Sequence, residues 1–268
     1  MDGGGFAGRV ALVTGAGAGI GRASAWRLHR GGAAVACLDR DGDGAAAVAQ
    51  AILAQGGRAL ALPCDVSRGT EVAAAVDSVC QAWGRLDLLH ANAGVQRYGT
   101  ALNTPEALWD EVMGINLKGV FLAAQAVLPQ MVAAGGGAIV ITASAQALAT
   151  QRNVLAYSTS KAALLGLCRA LAVDHAAQGV RVNCVCPGSV DTPMLRAAAQ
   201  RFAGPLGQAP EALLQEWGRA HPLGRLGSAE EVAEVCAFLL SERASFITGA
   251  VLPVDGGLTA QLGAALPD

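Results

Sequence analysis

Residues 14–21 read TGAGAGIG, and they follow directly on an apolar, β-branched run at residues 9–14. Apolar residues at helical spacing continue over residues 19–30, which predicts a strand, a tight turn and a helix. Glycine permits positive φ and lets backbone N–H groups approach a ligand at a helix N-terminus, where the partial positive charge attracts phosphate. The stretch therefore indicates a loop that binds a dinucleotide, with an ordinary strand-to-helix turn as the alternative interpretation.

The same alternation of short apolar runs and longer Ala- and Leu-rich segments continues along the chain. Strands are predicted at residues 9–14, 33–38, 58–63, 86–90, 138–142, 180–186 and 250–254. Helices are predicted at residues 19–30, 43–55, 70–83, 106–131, 156–177 and 229–240. Strands this apolar, joined by helices rather than by two-residue turns, predict an α/β fold with a doubly wound parallel sheet of about seven strands.

Neither a linker nor an internal repeat divides the sequence, so we expect a single domain over residues 1–268. Residues 193–227 break the rhythm, because two short helical patterns at residues 194–202 and 210–220 stand among several Gly and Pro residues. A long insertion after a strand end predicts a small helical lid over the substrate. A surface excursion that merely packs on the domain is the alternative.

The composition excludes several classes of protein. With 53% hydrophobic and 15% charged residues, disorder is disfavoured, and a net charge of -2 provides no field that would gather nucleic acid. The longest uncharged stretch, residues 119–151, is interrupted by Pro129 and by three glycines, so no membrane span is predicted. Seven cysteines without a C-x-x-C pair predict buried, reduced thiols in a cytoplasmic protein, and the four histidines show no metal-ligand spacing.

Asp39 closes the second predicted strand, 18 residues after Gly21. A carboxylate at this point accepts hydrogen bonds from the adenosine ribose and repels a 2′-phosphate, which favours NAD over NADP. Arg40 argues against this preference, since it could pair with a 2′-phosphate. In the alternative interpretation it simply faces solvent.

A second group of polar residues follows the strand predicted at residues 138–142. Ser144 comes two residues after that strand, and Tyr157 precedes Lys161 by four residues on a predicted helix. Four residues turn a helix by about 400°, so the phenol and the ammonium project from nearly the same face. A neighbouring cation favours the phenolate, and a lowered pKa of Tyr157 suits proton transfer.

The chain has only two tyrosines and two lysines, so this pairing is improbable by chance. Ser144 is placed to hydrogen-bond a substrate oxygen, and the three residues together predict a site for alcohols and carbonyl compounds. Taken singly, each has a structural interpretation: Tyr157 as a core aromatic, Ser144 as a cap and Lys161 as a solvated helix residue.

These motifs resemble those of the short-chain dehydrogenase/reductase family along nearly the whole chain. They are T-G-x-x-x-G-I-G at residues 14–21, Asn92, Ala93 and Gly94, Ser144, and Y-x-x-x-K at residues 157–161. The resemblance implies a Rossmann fold, with Tyr157 as the general acid/base and Lys161 lowering its pKa and holding the nicotinamide ribose. It further implies that Ser144 orients the substrate. Asn116 matches the family's fourth catalytic position, which kinks a helix and holds a water that connects the lysine to bulk solvent.

The resemblance also implies the contacts to the cofactor and the substrate. The implied cofactor-binding residues are Gly15, Gly19, Ile20, Gly21, Asp39, Asp65, Val66, Asn92, Ala93, Gly94, Tyr157, Lys161, Pro187, Gly188, Val190 and Thr192. The implied substrate-binding residues are Ser144, Gln146, Val154, Tyr157 and Ser189. Arg152 could meet an acidic substrate, or it could be a solvated loop residue. Ile141 departs from the family pattern, which often has Asn at this position.

Together, these observations predict an NAD-dependent oxidoreductase that interconverts a secondary alcohol of polyol, cyclic or hydroxy-acid type and its ketone. An NADPH-dependent 3-oxoacyl reductase is the nearest alternative, although Asp39 and the lack of a basic residue within residues 15–21 disfavour it. A non-catalytic dinucleotide-binding sensor is the alternative from another class. The family's subunit contacts predict a homotetramer, with a dimer as the alternative, and no metal, nucleic-acid or membrane partner is expected.

Overall fold

Seven strands lie at the centre of the protein in the computed structural model, which describes residues 5–261. They are β1 (Val10–Thr14), β2 (Ala34–Asp39), β3 (Ala59–Pro63), β4 (Leu88–Ala91), β5 (Gly137–Thr142), β6 (Val180–Pro187) and β7 (Val251–Val254). They form one sheet in the order β3-β2-β1-β4-β5-β6-β7, and every pair is parallel. All seven predicted strands are present, and the predicted Rossmann-type, doubly wound α/β fold is confirmed. Residues 1–4 and 262–268 of the predicted domain lie outside the described residues.

Helices cover both faces of the sheet. They are α1 (Gly19–Arg30), α2 (Gly42–Ala54), α3 (Gly69–Trp83), α4 (Glu106–Met113), α5 (Gly119–Ala133), α6 (Leu155–His175), α7 (Pro193–Ala203), α8 (Pro210–Arg219) and α9 (Ala229–Leu240). Side chains alternate along a strand, so Val10 and Leu12 of β1 belong to the core under α3, α5 and α6, whereas Ala11 and Val13 belong to the core under α1, α2 and α9. Cys184 and Cys186 pack together in the first of these cores, as the sequence predicts.

The crevice of the sheet lies where the strand order reverses, between β1 and β4. In open parallel sheets, ligands bind at the carboxyl ends of the strands beside such a reversal. Parallel strands place all their carboxyl ends at one edge. This edge therefore gathers the residues that follow β1, β2, β4, β5 and β6, which include Gly15, Asn92, Ser144 and Gly188.

The helix predicted at residues 106–131 is interrupted. Between α4 and α5, residues Gly114–Lys118 form a π-helical turn, which holds one more residue than a regular turn. This is the kink that the family resemblance implies at Asn116. Local periodicity does not reveal it, whereas the structure shows that Asn116 within it hydrogen-bonds to Val95 and Ser160, which lie far away in the chain.

The segment Glu106–Ala133 has the length and apolar composition to cross a membrane. In the fold, however, Val120, Val127 and Met131 of this segment are buried against the sheet. An apolar helix with these contacts is the core helix of a globular fold.

The insertion after β6 contains the two predicted helices, observed as α7 and α8, which pack on each other above the carboxyl edge of the sheet. Phe202 of α7 meets Tyr98 edge to face, with ring centroids 4.7 Å apart. This contact joins the insertion to the loop that follows β4, so the two segments meet as adjoining walls of one space.

Candidate active site

A cleft of about 590 Å³ opens at the carboxyl edge of the sheet and continues under α7. It is lined by every predicted cofactor-binding residue except Gly21, and by all the predicted substrate-binding residues. Gly21 lies beneath the lining, where any side chain would collide with the carbonyl oxygen of Gly15. Its role is therefore steric: it lets α1 pack against the preceding turn.

The glycine-rich turn at the start of α1 has the geometry that a phosphate requires. Gly15 and Gly19 have φ angles of 67° and 51°, in the left-handed region that glycine favours. No side chain caps α1, and no acidic residue stands in its first turn. The backbone N–H groups and the positive end of the helix are thus available to an anion, so this turn fits the pyrophosphate of a dinucleotide.

Asp39 stands at the end of β2 and is tied to the same turn. Its carboxylate accepts hydrogen bonds from the backbone N–H groups of Gly17 (2.9 Å) and Asp41 (3.0 Å). An ionised carboxylate has about four lone-pair sites, so it retains capacity for ribose hydroxyls. Arg40 beside it also lines the cleft, with an exposed side chain.

Asp65 marks the far end of the cleft. Its carboxylate accepts from the hydroxyl and the backbone N–H of Ser67 at 2.7 and 3.0 Å. These hydrogen bonds, the hydroxyl's above all, lower the pKa of Asp65 despite some desolvation. The carboxylate is therefore ionised at neutral pH and can accept hydrogen bonds from a ligand in the cleft.

Tyr157 and Ser144 lie together at the floor of the cleft, and each residue is 9% exposed. Burial raises the pKa of the Tyr157 phenol above its ordinary value, and a hydrogen bond with Ser144 lowers it by a smaller amount. The lowered pKa expected from the sequence is thus not what this structure shows. The physical reason is that desolvation of the phenol outweighs its favourable contacts.

Lys161 lies one helical turn beyond Tyr157, as predicted, but its ammonium is bound elsewhere. Nζ donates a hydrogen bond to the carbonyl oxygen of Thr142 at 2.8 Å and stands 5.8 Å from the centre of the Tyr157 ring. Burial lowers the pKa of Lys161 to about 8, so the group still carries a proton at neutral pH. An ammonium has three N–H donors, so Lys161 retains donors for a ribose.

Asn116 is fully buried under the cleft and does not line it. Its Oδ1 accepts from the N–H of Val95 (2.8 Å), and its Nδ2 donates to the carbonyl of Val95 (2.9 Å) and to Ser160 Oγ (3.1 Å). The Ser160 hydroxyl in turn donates to the carbonyl of Tyr157 at 2.7 Å. The π-helical turn is thereby tied to α6 beside Lys161 and to the loop that follows β4.

Several lining residues of the substrate half escaped the sequence analysis. Tyr98, Phe202 and Trp217 form aromatic walls there, next to the predicted Val154 and Ser189. The sequence contained an indirect indication of these three residues, because the chain has only eleven aromatic residues and three of them lie on or opposite the predicted lid. Aromatic side chains of this kind are more often interpreted as core.

His221, in the turn after α8, is a second residue that the sequence did not single out. Its Nε2 accepts a hydrogen bond from the backbone N–H of Ser189 at 3.0 Å, and its Nδ1 lies 2.9 Å from the carbonyl oxygen of Trp217. A backbone N–H can only donate and a carbonyl can only accept, so the ring is the neutral Nδ1–H tautomer. The 3% exposed imidazole therefore joins the end of the insertion to the loop after β6.

Within residues 5–261, no three His, Cys, Asp or Glu side chains come together in a way that could hold a metal ion. The polar side-chain groups that line the floor of the cleft include a phenol, a hydroxyl and an ammonium. That set can transfer a proton to or from an oxygen atom and stabilise charge on it.

Comparison with known proteins extends these observations. A family model described as enoyl-(acyl carrier protein) reductase matches residues 15–259. Cis-4-hydroxycyclohexanecarboxylate dehydrogenase of Sinomonas cyclohexanicum is 43% identical over 256 residues, which cover 95% of this chain and 98% of the relative. Cyclohexanol dehydrogenase of Acinetobacter sp. strain SE19 is 38% identical, with 96% and 97% covered. The structure of 3-ketoacyl-(acyl-carrier-protein) reductase from Brucella melitensis complexed with NADH is 33% identical, with 95% and 99% covered and a TM-score of 0.84.

Proposed function

The chain belongs to the short-chain dehydrogenase/reductase family, and from this we propose that it is an NAD-dependent dehydrogenase that interconverts a cyclic secondary alcohol and its ketone. One observation carries the proposal: Ser144, Tyr157 and Lys161 are buried together at the floor of a cleft whose other end fits a dinucleotide. Two relatives, with 43% and 38% identity, are named for substrates that are hydroxylated cyclohexane rings. Tyr98, Val154, Phe202 and Trp217 in the substrate half offer such a ring an apolar surface.

The turn at Gly15 and Gly19 would hold the pyrophosphate, Asp39 the adenosine ribose, and Lys161 the nicotinamide ribose. A bound nicotinamide would supply the hydride chemistry at the carbon that carries the substrate oxygen. The carboxylate of Asp39 supports NAD rather than NADP, because a 2′-phosphate would be brought against a like charge. A comparison protein with NADH in its structure agrees with this choice.

Tyr157 acts as the general acid and base. In the reductive direction, its buried phenol donates a proton to the substrate oxygen, and a raised pKa keeps that proton available at neutral pH. In the oxidative direction, the phenolate accepts the hydroxyl proton, and the ammonium of Lys161 stabilises the negative charge. Ser144 hydrogen-bonds the substrate oxygen throughout and so fixes its distance from Tyr157.

The remaining features of the chain complete the proposal. Residues 193–227 act as a lid over the substrate, because Phe202 and Trp217 line the cleft from that side. The seven cysteines are free thiols and six of them are buried, which suits a reducing, cytoplasmic location. A homotetramer, or a dimer in its place, follows the arrangement expected from the family.

The test is an assay of a panel of cyclic and open-chain alcohols and ketones with NAD(H) and NADP(H), followed by the absorbance of the reduced nicotinamide. Cyclohexanol with NAD should be turned over by the natural chain. Tyr157→Phe should lose about 10²- to 10⁴-fold in kcat, the usual contribution of a general acid/base, while dinucleotide binding measured by calorimetry persists.

Three other outcomes would overturn the proposal, each in a different way. Activity retained by Tyr157→Phe would show that another base operates. Turnover only of 3-oxoacyl thioesters with NADPH would establish the alternative reductase. Tight dinucleotide binding without turnover of any substrate in the panel would indicate a sensor.

A further inference from the structure

Among the described residues, Arg152 differs from most arginines in forming no ion pair, hydrogen bond or contact with an aromatic ring. The chain has seventeen arginines, and all of them lie within residues 5–261. Seven form ion pairs with Asp or Glu, Arg181 donates to backbone carbonyls, and four more lie over aromatic rings. Of the five that remain without such a partner in the described part of the chain, Arg40 and Arg152 line the cleft.

These two arginines stand in different electrostatic surroundings. Arg40 lies at the adenosine end, where the carboxylates of Asp39 and Asp65 also line the cleft. Arg152 lies among the substrate-lining residues, where the described lining contains no carboxylate to balance it. Apart from Lys161, assigned above to the nicotinamide ribose, Arg152 is the cation on this side. The substrate half therefore has an uncompensated positive charge.

The loop that carries Arg152 is fixed on both sides of that residue. The carbonyl of Asn153 accepts from the N–H of Gly99 at 2.8 Å, and the hydroxyl of Thr150 is bonded to that of Ser158 at 2.6 Å. The neighbouring Gln151 accepts from Gln146 at 3.1 Å. The backbone and the flanking side chains are thus engaged with the protein, while the guanidinium is left free for a ligand. Because the loop is already held in place, less conformational entropy is lost when a ligand binds the guanidinium.

We infer that Arg152 binds a carboxylate of the substrate, so that the cyclic alcohol is a hydroxy acid with its acid group remote from the reacting carbon. This rests on the proposed function and names its substrate class. Arg152 is exposed at the rim, whereas Ser144 and Tyr157 are buried at the floor. A 2-hydroxy acid would place its carboxylate next to the reacting oxygen at the floor. An acid several bonds away reaches the rim instead, across the apolar surface of Val154 and Phe202.

The decisive experiment compares two substrates of one skeleton, 4-hydroxycyclohexanecarboxylate and 4-hydroxycyclohexanecarboxamide, which differ in charge but scarcely in shape. We expect the natural chain to prefer the acid in kcat/KM, chiefly through KM, since the contact is present before and during the chemical step. Arg152→Gln should reduce the acid-over-amide ratio by about fivefold or more. Arg152→Lys should retain much of the preference, and added salt should weaken it, because the contact at the rim is only partly shielded from water.

Arg243→Gln is the matched control, because it removes one positive charge from an exposed residue that does not line the cleft. Its acid-over-amide ratio should equal that of the natural chain. Melting curves of all the variants show whether each is folded. If Arg152→Gln leaves the ratio unchanged while both substrates are oxidised, the inference is wrong and the proposed function stands. If neither these substrates nor any other alcohol is oxidised, the proposed function itself fails.

Discussion

The backbone N–H of Ser189 donates a hydrogen bond to Nε2 of His221 across 3.0 Å, and this bond joins the insertion over the cleft to the loop after β6. The imidazole fits closely, because a Cβ on Gly188 would stand 2.7 Å from Nε2. Ser189 and Trp217, which His221 bridges, both line the substrate half of the cleft. The ring therefore sets the position of two walls at once.

This bond can be tested by replacing His221 with each of the two amide residues, Gln and Asn. His221→Gln can place its amide oxygen near the position of Nε2 and keep Ser189 paired, whereas His221→Asn reaches only the Trp217 carbonyl. We expect His221→Asn to lose about 1–3 kcal/mol of stability, as for an unpaired buried donor, and to raise the KM for the alcohol more than His221→Gln does. Chemical unfolding and steady-state kinetics measure both effects. Equal KM values for the two variants would show that the bond does not position the substrate; His175→Asn is the control.

Lys161 should reduce the stability of the cofactor-free protein. Burial lowers its pKa from 10.5 to about 8, so between these values the unfolded chain binds more protons than the folded one. Stability from this group therefore rises with pH across that window, and below pH 8 the full penalty of about 3 kcal/mol applies. Lys161→Met should be inactive and yet more stable than the natural chain at pH 7.

The measurement for Lys161 is the difference in unfolding free energy between the variant and the natural chain, from pH 7 to 10.5. Using the difference cancels the titration of the thiols remote from Lys161, but not that of Cys184 and Cys186, which interact with it electrostatically. We expect the advantage of Lys161→Met to shrink as the pH rises. Lys118→Met, which replaces the chain's other lysine at an exposed position, should show no such trend, and a constant advantage for Lys161→Met would contradict the assignment.

Asp39 should govern the choice between NAD and NADP. Asp39→Asn keeps an oxygen that can accept from Gly17 but removes the charge that repels a 2′-phosphate. We expect the NAD-over-NADP ratio of kcat/KM to fall by about tenfold or more, since each lost or gained charged contact is worth about 1.5–3 kcal/mol. Asp41→Asn is the control, because Asp41 caps α2 and does not line the cleft. An unchanged ratio would point to Arg40 as the residue that sets the preference.

Asn116 should matter for both folding and turnover. Asn116→Ala removes a fully buried amide and leaves the N–H and carbonyl of the half-buried Val95 and the hydroxyl of the buried Ser160 without this partner. We expect a loss of about 2–4 kcal/mol in urea unfolding, together with a lower kcat, because the π-helical turn loses its tie to α6. Ser160→Ala removes only one of these bonds and should cost less. Equal losses would show that the Val95 bonds contribute little.

The sequence predicted the seven strands because each is a short apolar run bounded by turn residues, and the cleft because parallel strands must end at one edge. It predicted the spacing of Tyr157 and Lys161, since four residues on one helix fix their relation. Where partners lie far apart in the chain, it predicted less. Asn116 in the π-helical turn bonds to Val95, which is 21 residues away in the chain, and to Ser160, which is 44 residues away. Helical periodicity describes only neighbouring residues, so it cannot reveal such contacts.

The electrostatic state of the site was the least predictable part. The sequence placed an ammonium beside a phenol, but it gave no measure of how deeply both are buried. Burial raises the pKa of Tyr157, whereas the sequence predicted a lowered value. The Lys161 ammonium, in turn, donates a hydrogen bond to the carbonyl of Thr142. His221 escaped notice for a similar reason, since nothing local to residue 221 indicates that Ser189 lies against it.

The additional residue in the turn at Gly114–Lys118 acts as a phase shift in an otherwise continuous helix. A single residue corresponds to about 100° of rotation, so everything downstream faces a different direction from that of a regular helix of the same sequence. Regularising this turn without removing a residue would improve the local geometry and yet swing Val120 and Val127 away from the sheet. For anyone redesigning this scaffold, a regular backbone at this apparent defect would thus disturb both the packing of α5 on the sheet and the hydrogen bonds of Asn116.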